Sequence, residues 1–333
     1  MASPWDDERI QVRPSDFRPP TERPFEKDIH RRGAWLEFQA LRAAQRLLGA
    51  LPQPLLEPAL GGLAHLARLV DKRHADSARD FLRTAFPEAS EREVEAGVLA
   101  AYRHIARVAV ESERLPKILG TRLAEHYEVE ACEGLEELVA AREGVIVLTA
   151  HVGFWEGVGL PLHALGFRHG VAVGKPPNNV HLARWIQRRR EEQGAWLLPR
   201  EGAIQGVTAA VRSGGAAVLL LDQRPRQRPI TVPFFGRPAA CDRSAGVLVR
   251  RVGAPLLVVG CYLTDVPGRY RLVFQRIVRP EEVEGASSEE VMALVNRETE
   301  ALVRRAPDQY FWLHDRFRGM PALGESGSEP GTG

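Results

Sequence analysis

His151 stands five residues before Glu156 in the segment His151-Val152-Gly153-Phe154-Trp155-Glu156, and the two residue types together can move a proton. A histidine ordinarily titrates near pH 6.5, so at neutral pH its ring can take the proton of a hydroxyl as that oxygen attacks an acyl carbon. A carboxylate on the other ring nitrogen fixes the tautomer and stabilises the imidazolium that forms; Glu156 is expected in that role. Geometry sets a condition on the pair. On one continuous helix, residues five apart point about 140° away from each other. His151 is therefore expected off the helix, at a strand exit, with Glu156 in the first turn beyond a bend at Gly153. The spacing alone also fits a structural histidine at a strand end. There is no HExxH segment to suggest a metal site and no G-x-S-x-G elbow to suggest a serine hydrolase.

Other polar residues fall where a substrate could be held. Lys175 precedes Pro176-Pro177, which stiffens the chain after an expected strand, and its ammonium can reach a phosphate as a point charge. Asp222, Gln223 and Arg224 follow a second strand, where Arg224 can meet a phosphate or a developing oxyanion. Phe234, Phe235 and Gly236 can wall an apolar groove, although bare apolar residues more often serve as core. Residues 175–251 hold fourteen Lys/Arg against five Asp/Glu, within a chain whose formal net charge is only +2. So concentrated a charge calls for a polyanionic partner such as lipid headgroups, a phosphorylated substrate, an acidic carrier or nucleic acid. No nucleic-acid-binding module accompanies it, and none is expected.

The elements that must position these groups are legible in the 333 residues. Residues 144–150 form a short, continuous, β-branched apolar run, the pattern of a strand buried on both faces. Similar runs at 170–173, 195–198, 216–221 and 255–263 alternate with helical stretches at 179–193, 203–212 and 243–252. The pattern predicts an α/β fold with a mostly parallel central sheet flanked by helices. A further strand at 270–277 and a helix at 288–305 follow. His151 then lies outside the carboxyl end of its strand, where open α/β sheets bind ligands.

Ahead of the sheet, residues 31–115 read as helices at 60–70, 76–85 and 91–115, the last capped by Ser90 and stopped by Pro116. Near residue 35, Trp35, Phe38, Leu41 and Leu48 recur at near-helical spacing beside Arg31, Arg32, Arg42 and Arg46, a composition suited to a membrane interface or to packing on a core. No stretch supplies the ~18 apolar residues that span a bilayer, so no transmembrane helix is expected. The three cysteines, Cys132, Cys241 and Cys261, are too scattered for a disulfide framework or a zinc site. The expected organisation is a flexible arm over 1–27, one catalytic domain over 28–319 (helical to 118, α/β from 119), and a disordered tail over 320–333.

Five segments in order carry a resemblance: His151 to Glu156, Lys175-Pro176-Pro177-Asn178-Asn179, Leu220-Leu221-Asp222-Gln223-Arg224, Val232-Pro233-Phe234-Phe235-Gly236, and Tyr310-Phe311-Trp312-Leu313-His314-Asp315-Arg316-Phe317. Together with Phe81 to Pro87, they resemble the bacterial late lipid A acyltransferases, the lauroyl and myristoyl transferases of the lysophospholipid acyltransferase superfamily. The resemblance spans residues 35–318. It implies a glycerol-phosphate-acyltransferase-like fold at the cytoplasmic face of the inner membrane. It implies transfer of a fatty acyl chain from an acyl carrier protein or coenzyme A thioester to a hydroxyl of an anionic glycolipid, with no metal or other cofactor. By position, His151 matches the base and Glu156 its acidic partner. Lys175, Asp222, Arg224, Phe234, Phe235, Gly236 and Arg316 fall at substrate, and His314 joins Arg316 as a structural partner. The chain departs from the family in carrying Glu37, Arg42 and Arg46 where members have a hydrophobic anchor, Asp315 where they have His or Arg, and Lys175 in place of Arg. A lysophospholipid acceptor, or a catalytically silent lipid-binding protein, are the alternative readings.

Overall fold

The computed structural model describes residues 3–12, 15–19, 33–200, 202–225 and 229–321. Helices α1 (Ala34–Ala50), α2 (Gln53–Val70), α3 (Lys72–Ala85) and α4 (Glu91–Glu111) precede the sheet. α4 starts where its sequence requires: the Glu93 amide donates to the Ser90 hydroxyl while the Glu93 carboxylate accepts from the Ser90 amide. α2 begins earlier than its apolar pattern predicts. Pro54 falls in its first turn, where a missing N–H leaves no hydrogen bond unmade.

Then follow α5 (Leu123–His126), β1 (Tyr127–Glu130), α6 (Leu135–Ala141), β2 (Val145–Thr149), α7 (Gly159–Leu165), β3 (Gly170–Val173), α8 (Val180–Glu192), β4 (Ala195–Leu198), α9 (Ala203–Arg212) and β5 (Ala216–Leu220). A hairpin of β6 (Pro229–Phe234) and β7 (Arg237–Asp242) leads to α10 (Arg243–Val252), β8 (Leu256–Leu263), β9 (Tyr270–Val278) and α11 (Ser288–Arg305). The fold is α/β, with a seven-stranded sheet in the order β1-β9-β8-β2-β5-β3-β4 flanked by helices. Five strands run parallel; β9 lies antiparallel to β8, and β1 is parallel to β9.

All five residues of β2 are buried, which is why its sequence shows no polar alternation. Its period of two divides the core. Ile146 and Leu148 join one apolar cluster with α3, α4 and α11, while Val145 and Val147 join a second with α6 and α7. The stretch expected as a loose arm is strapped to that second cluster over the residues described there. Trp5 and Ile10 are buried in it, and the Ile10 amide donates to Thr121 O at 2.9 Å, while Phe17 packs on the first cluster and stacks on His169 at 4.2 Å. The expected tail, from residue 322 onward, lies outside the described residues.

Phe234, Phe235 and Gly236, expected to wall a groove, lie instead at the tip of the β6–β7 hairpin. Phe234 and Phe235 are both buried, and their rings meet Phe81 of α3 at 5.9 and 6.2 Å in a cluster that includes Trp312 and Phe317. The two-residue turn places Phe235 and Gly236 both at positive φ (50° and 76°), as a type I′ turn demands. Phe235 tolerates that conformation because its amide donates to Glu300 at 2.7 Å and Arg304 lies over its ring.

Phe81 sits at the centre of this aromatic cluster and is 1% exposed. Phe81→Ala should lower the free energy of unfolding by about 3–5 kcal/mol. The check is a urea titration, in which the midpoint falls while the slope is unchanged.

Candidate active site

β2 and β5 are hydrogen-bonded neighbours with Thr149 opposite Leu220. Continuing that register two residues past each strand brings residue 151 beside residue 222, 71 positions away in sequence. The His151 ring Nδ1 lies 2.8 Å from Asp222 Oδ1, and the His151 amide donates to Asp222 Oδ2 at 2.9 Å. One carboxylate thus holds both the ring and the backbone of the histidine. Asp222 is 3% exposed. Burial alone would raise its pKa, but the His151 ring and amide outweigh that and hold it down to about 2. With Nδ1 turned to a carboxylate, the proton of a neutral ring belongs on Nδ1, which leaves Nε2 as the acceptor. The Gln223 amide nitrogen is 3.4 Å from that Nε2.

The loop carrying His151 is stitched from two further sides. The Phe311 amide donates to His151 O, the Gly153 amide to Gln309 O and the Phe154 amide to Cys261 O. Gly153 has φ +58°, and a Cβ there would stand 2.0 Å from Cys261 O, so only glycine fits the bend. Trp155 packs edge-on against His151 at 5.3 Å and against His104 of α4 at 5.9 Å.

Glu156 is not on the histidine. Its carboxylate takes Arg190 of α8 at 2.8 and 3.1 Å, and Asp222 fills the place at Nδ1 expected of it. The bend at Gly153 does separate the two elements as foreseen, but it turns Glu156 toward α8. A cavity of about 700 Å³ opens beside His151. Its inner wall is apolar, with Leu197, Leu219, Leu221 and Leu248; Lys175, Arg190, Arg200 and Arg251 bring positive charge to it, and Glu156 and Asp242 negative charge. Lys175 is exposed at the rim, 3.4 Å from the Asn178 side chain.

Two expected substrate contacts lie elsewhere. The Arg224 side chain is not in the cavity wall; its Nε is buried without a partner, and its amide donates to His314 Nε2 at 2.9 Å. Arg316 is 1% exposed, wedged under the hairpin, where it donates to Ala240 O and to Cys241 Sγ and lies over Phe234. With Phe234 and Phe235 packed in the hairpin and Gly236 exposed at its turn, these three and Arg316, all expected at substrate, lie outside the cavity wall. Arg190, Arg200 and Arg251 escaped notice because each sits in an ordinary helical or loop context; only the strand order reveals that they converge.

Residues 23–319 match the bacterial lipid A biosynthesis acyltransferases. An α/β fold with a histidine–carboxylate pair at adjacent strand exits facing a half-apolar cavity is the setting for acid–base group transfer. The chain belongs to that family, and it is an acyltransferase. It is 28% identical over 280 residues to the lipid A biosynthesis palmitoleoyltransferase of Escherichia coli (strain K12), covering 83% of this chain and 89% of that one. It is 28% identical over 284 residues to the lauroyltransferase of the same organism, with the same coverage. The phosphatidylinositol mannoside acyltransferase of Mycolicibacterium smegmatis is 26% identical over 239 residues, 66% of this chain and 73% of its own.

Two histidines behind the site are kept neutral. Burial lowers the pKa of His314 to about 4 and that of His104 to about 3, against 6.5 for a free histidine. A lowered folded-state pKa means that the unfolded chain takes up the proton first. Stability is therefore complete above pH 6.5 and falls as the pH drops from 6.5 toward 4. For His314 alone the loss is on the order of 3 kcal/mol. Thermal melts should show Tm falling across that window, with the fall reduced in His314→Gln and in His104→Gln.

Proposed function

We propose that this chain moves a fatty acyl group from an acyl carrier protein or coenzyme A thioester to a hydroxyl of an anionic membrane glycolipid resembling a lipid A precursor. In this reading it works at the cytoplasmic face of the inner membrane. The supporting observation is the Asp222 carboxylate behind His151, which leaves Nε2 open to a cavity with apolar walls and a cationic rim. The acceptor hydroxyl gives its proton to His151 Nε2 as its oxygen forms the C–O bond to the thioester carbon. The imidazolium, held by Asp222, returns that proton to the thiolate as the C–S bond breaks. The apolar wall takes the acyl chain, and the cations take phosphate on the acceptor or donor. Glu156 serves here as a wall residue that keeps Arg190 in place.

A second acceptor class is favoured by the mycobacterial relative, whose name specifies a phosphatidylinositol mannoside; an anionic glycolipid of that kind presents the same phosphate to the same rim. Mass spectrometry of total lipids from a deletion strain separates the two. A lipid A species short of one acyl chain supports the first reading, and a phosphoglycolipid or glycerophospholipid short of one replaces it.

Steady-state kinetics test the assignments. His151→Ala and Asp222→Asn should each lower kcat by about 10²–10⁴. Lys175→Gln should mainly raise KM, because it removes binding common to ground and transition states. Arg224→Gln should leave both constants nearly unchanged. If Asp222→Asn kept more than about a tenth of the parent rate, the carboxylate assignment would fail.

A further inference from the structure

β8 flanks β2 on the side away from β5, and the three strands run parallel, so their carboxyl ends share one edge of the sheet. The catalytic cavity runs from His151 over β5, β3 and β4. A second cavity, of about 450 Å³, lies on the other side, against Leu263 and Thr264 at the end of β8, with α2 and α4 as walls. Its volume is that of a small-molecule site. Its lining leaves hydrogen bonds unmade. His104 of α4 is 4% exposed; its ring meets the Gly153 carbonyl, yet Nε2 is buried without a partner. The ring is neutral, and one that donates to a carbonyl through one nitrogen offers an acceptor at the other. Gln53 of α2 gives its amide nitrogen to Glu57 at 3.3 Å, and its Oε1 is likewise buried without a partner. Buried acceptors left without a donor are rare in folded proteins and call for an occupant. Around them stand Asp265, Asp308 and Arg103, all exposed and none ion-paired with a described residue. Arg107, by contrast, is taken by Glu57 and Glu111.

We propose that this second cavity binds a saccharide, whose hydroxyls donate to His104, Gln53, Asp265 and Asp308 and whose oxygens accept from Arg103. The proposal rests on the reading of the acceptor as a glycolipid and gives its sugar a place. Hydroxyls suit the lining because each brings one donor and can still accept. A phosphate would face carboxylates and bare acceptors. A metal ion lacks ligands: among the described residues no three His, Cys, Asp or Glu side chains could hold one. One indole separates this cavity from the base, since Trp155 meets His104 at 5.9 Å and His151 at 5.3 Å. Gln309, on the cavity wall, is tied to Leu263 at 2.9 and 3.1 Å, and its carbonyl accepts from the Gly153 amide at 2.7 Å. A sugar seated here therefore touches the residues that hold the His151 loop. A headgroup laid along the sheet edge would keep one ring in the cavity and carry its hydroxyl across Trp155 to His151.

The test is saturation-transfer NMR on the purified chain, with methyl mannoside and N-acetylglucosamine as probes and no acyl donor. The parent should bind at least one of them. So should the inactive Asp222→Asn protein, which separates this result from the proposed chemistry. Asp265→Asn with Asp308→Asn, and separately Ala100→Trp, which fills the cavity from α4, should each weaken binding by about tenfold or more. None of these three positions is buried, so circular dichroism should show an unchanged fold. A folded parent that binds neither probe overturns the proposal, and so does binding that both variants leave unchanged. Calcium binding by calorimetry that the paired variant abolishes, without saccharide binding, overturns it too and gives the carboxylates to a cation. Kinetics then identify the source of the sugar. A KM for the glycolipid acceptor raised about tenfold in both variants, with kcat and the KM for a lysophospholipid alcohol unchanged, assigns it to the acceptor. An unchanged acceptor KM, with saccharide binding lost, assigns the cavity to a separate, free saccharide. If the chain acylates no glycolipid at all, the binding result still stands or falls by itself.

Discussion

A single buried carboxylate organises the centre of this molecule. Asp222 has one oxygen on the His151 ring and the other on the His151 amide, at a depth where an uncompensated charge would not survive. Much around it follows from that requirement. The parallel register of β2 and β5 brings the two residues level, Tyr310 is buried against the carboxylate, and His314 is kept neutral nearby as acceptor for the Arg224 amide. The arrangement leaves the imidazole almost no rotational freedom. In the proposed reaction a base held this way needs little reorganisation when the acceptor hydroxyl arrives.

The second carboxylate serves architecture. By binding Arg190, Glu156 ties the turn after His151 to α8. The same helix carries Trp185 under Arg42, and Arg189 lies 3.7 Å from Glu113. α8 is thus gripped at one side by the wall of the cavity and at the other by α1. It links the cavity wall to α1 through charged and aromatic contacts.

The sheet could be read from sequence because its strands are apolar runs without polar alternation: 145–150, 170–173, 195–198 and 216–221 match β2 to β5 almost residue for residue, although only β2 is buried throughout. His151 followed from its place at the end of one such run. Asp222 was singled out too, but as a substrate contact, because sequence does not reveal that β5 pairs with β2. The nearer Glu156 looked the better partner on spacing alone. The hairpin was missed for a local reason: Val232-Pro233-Phe234-Phe235-Gly236 has a proline and a non-glycine residue at positive φ, neither of which announces a strand and tight turn. On α1, periodicity located the helix but not which side faces in, since Arg42 and Gln45 find their partners on α4 and α8.

The stitching of the His151 loop to Gln309 and Phe311 has a bearing on how the protein is made. These contacts join residues more than 150 positions apart, so they raise contact order and delay the last stage of folding. A nascent chain with β2 and β5 already paired still lacks the segment that fixes the loop. During synthesis the backbone of this loop therefore lacks its bonds to Gln309 and Phe311 until nearly the whole catalytic region has left the ribosome, although Asp222 can already hold the ring. An incomplete chain would therefore carry the histidine on a loop fastened at one side only.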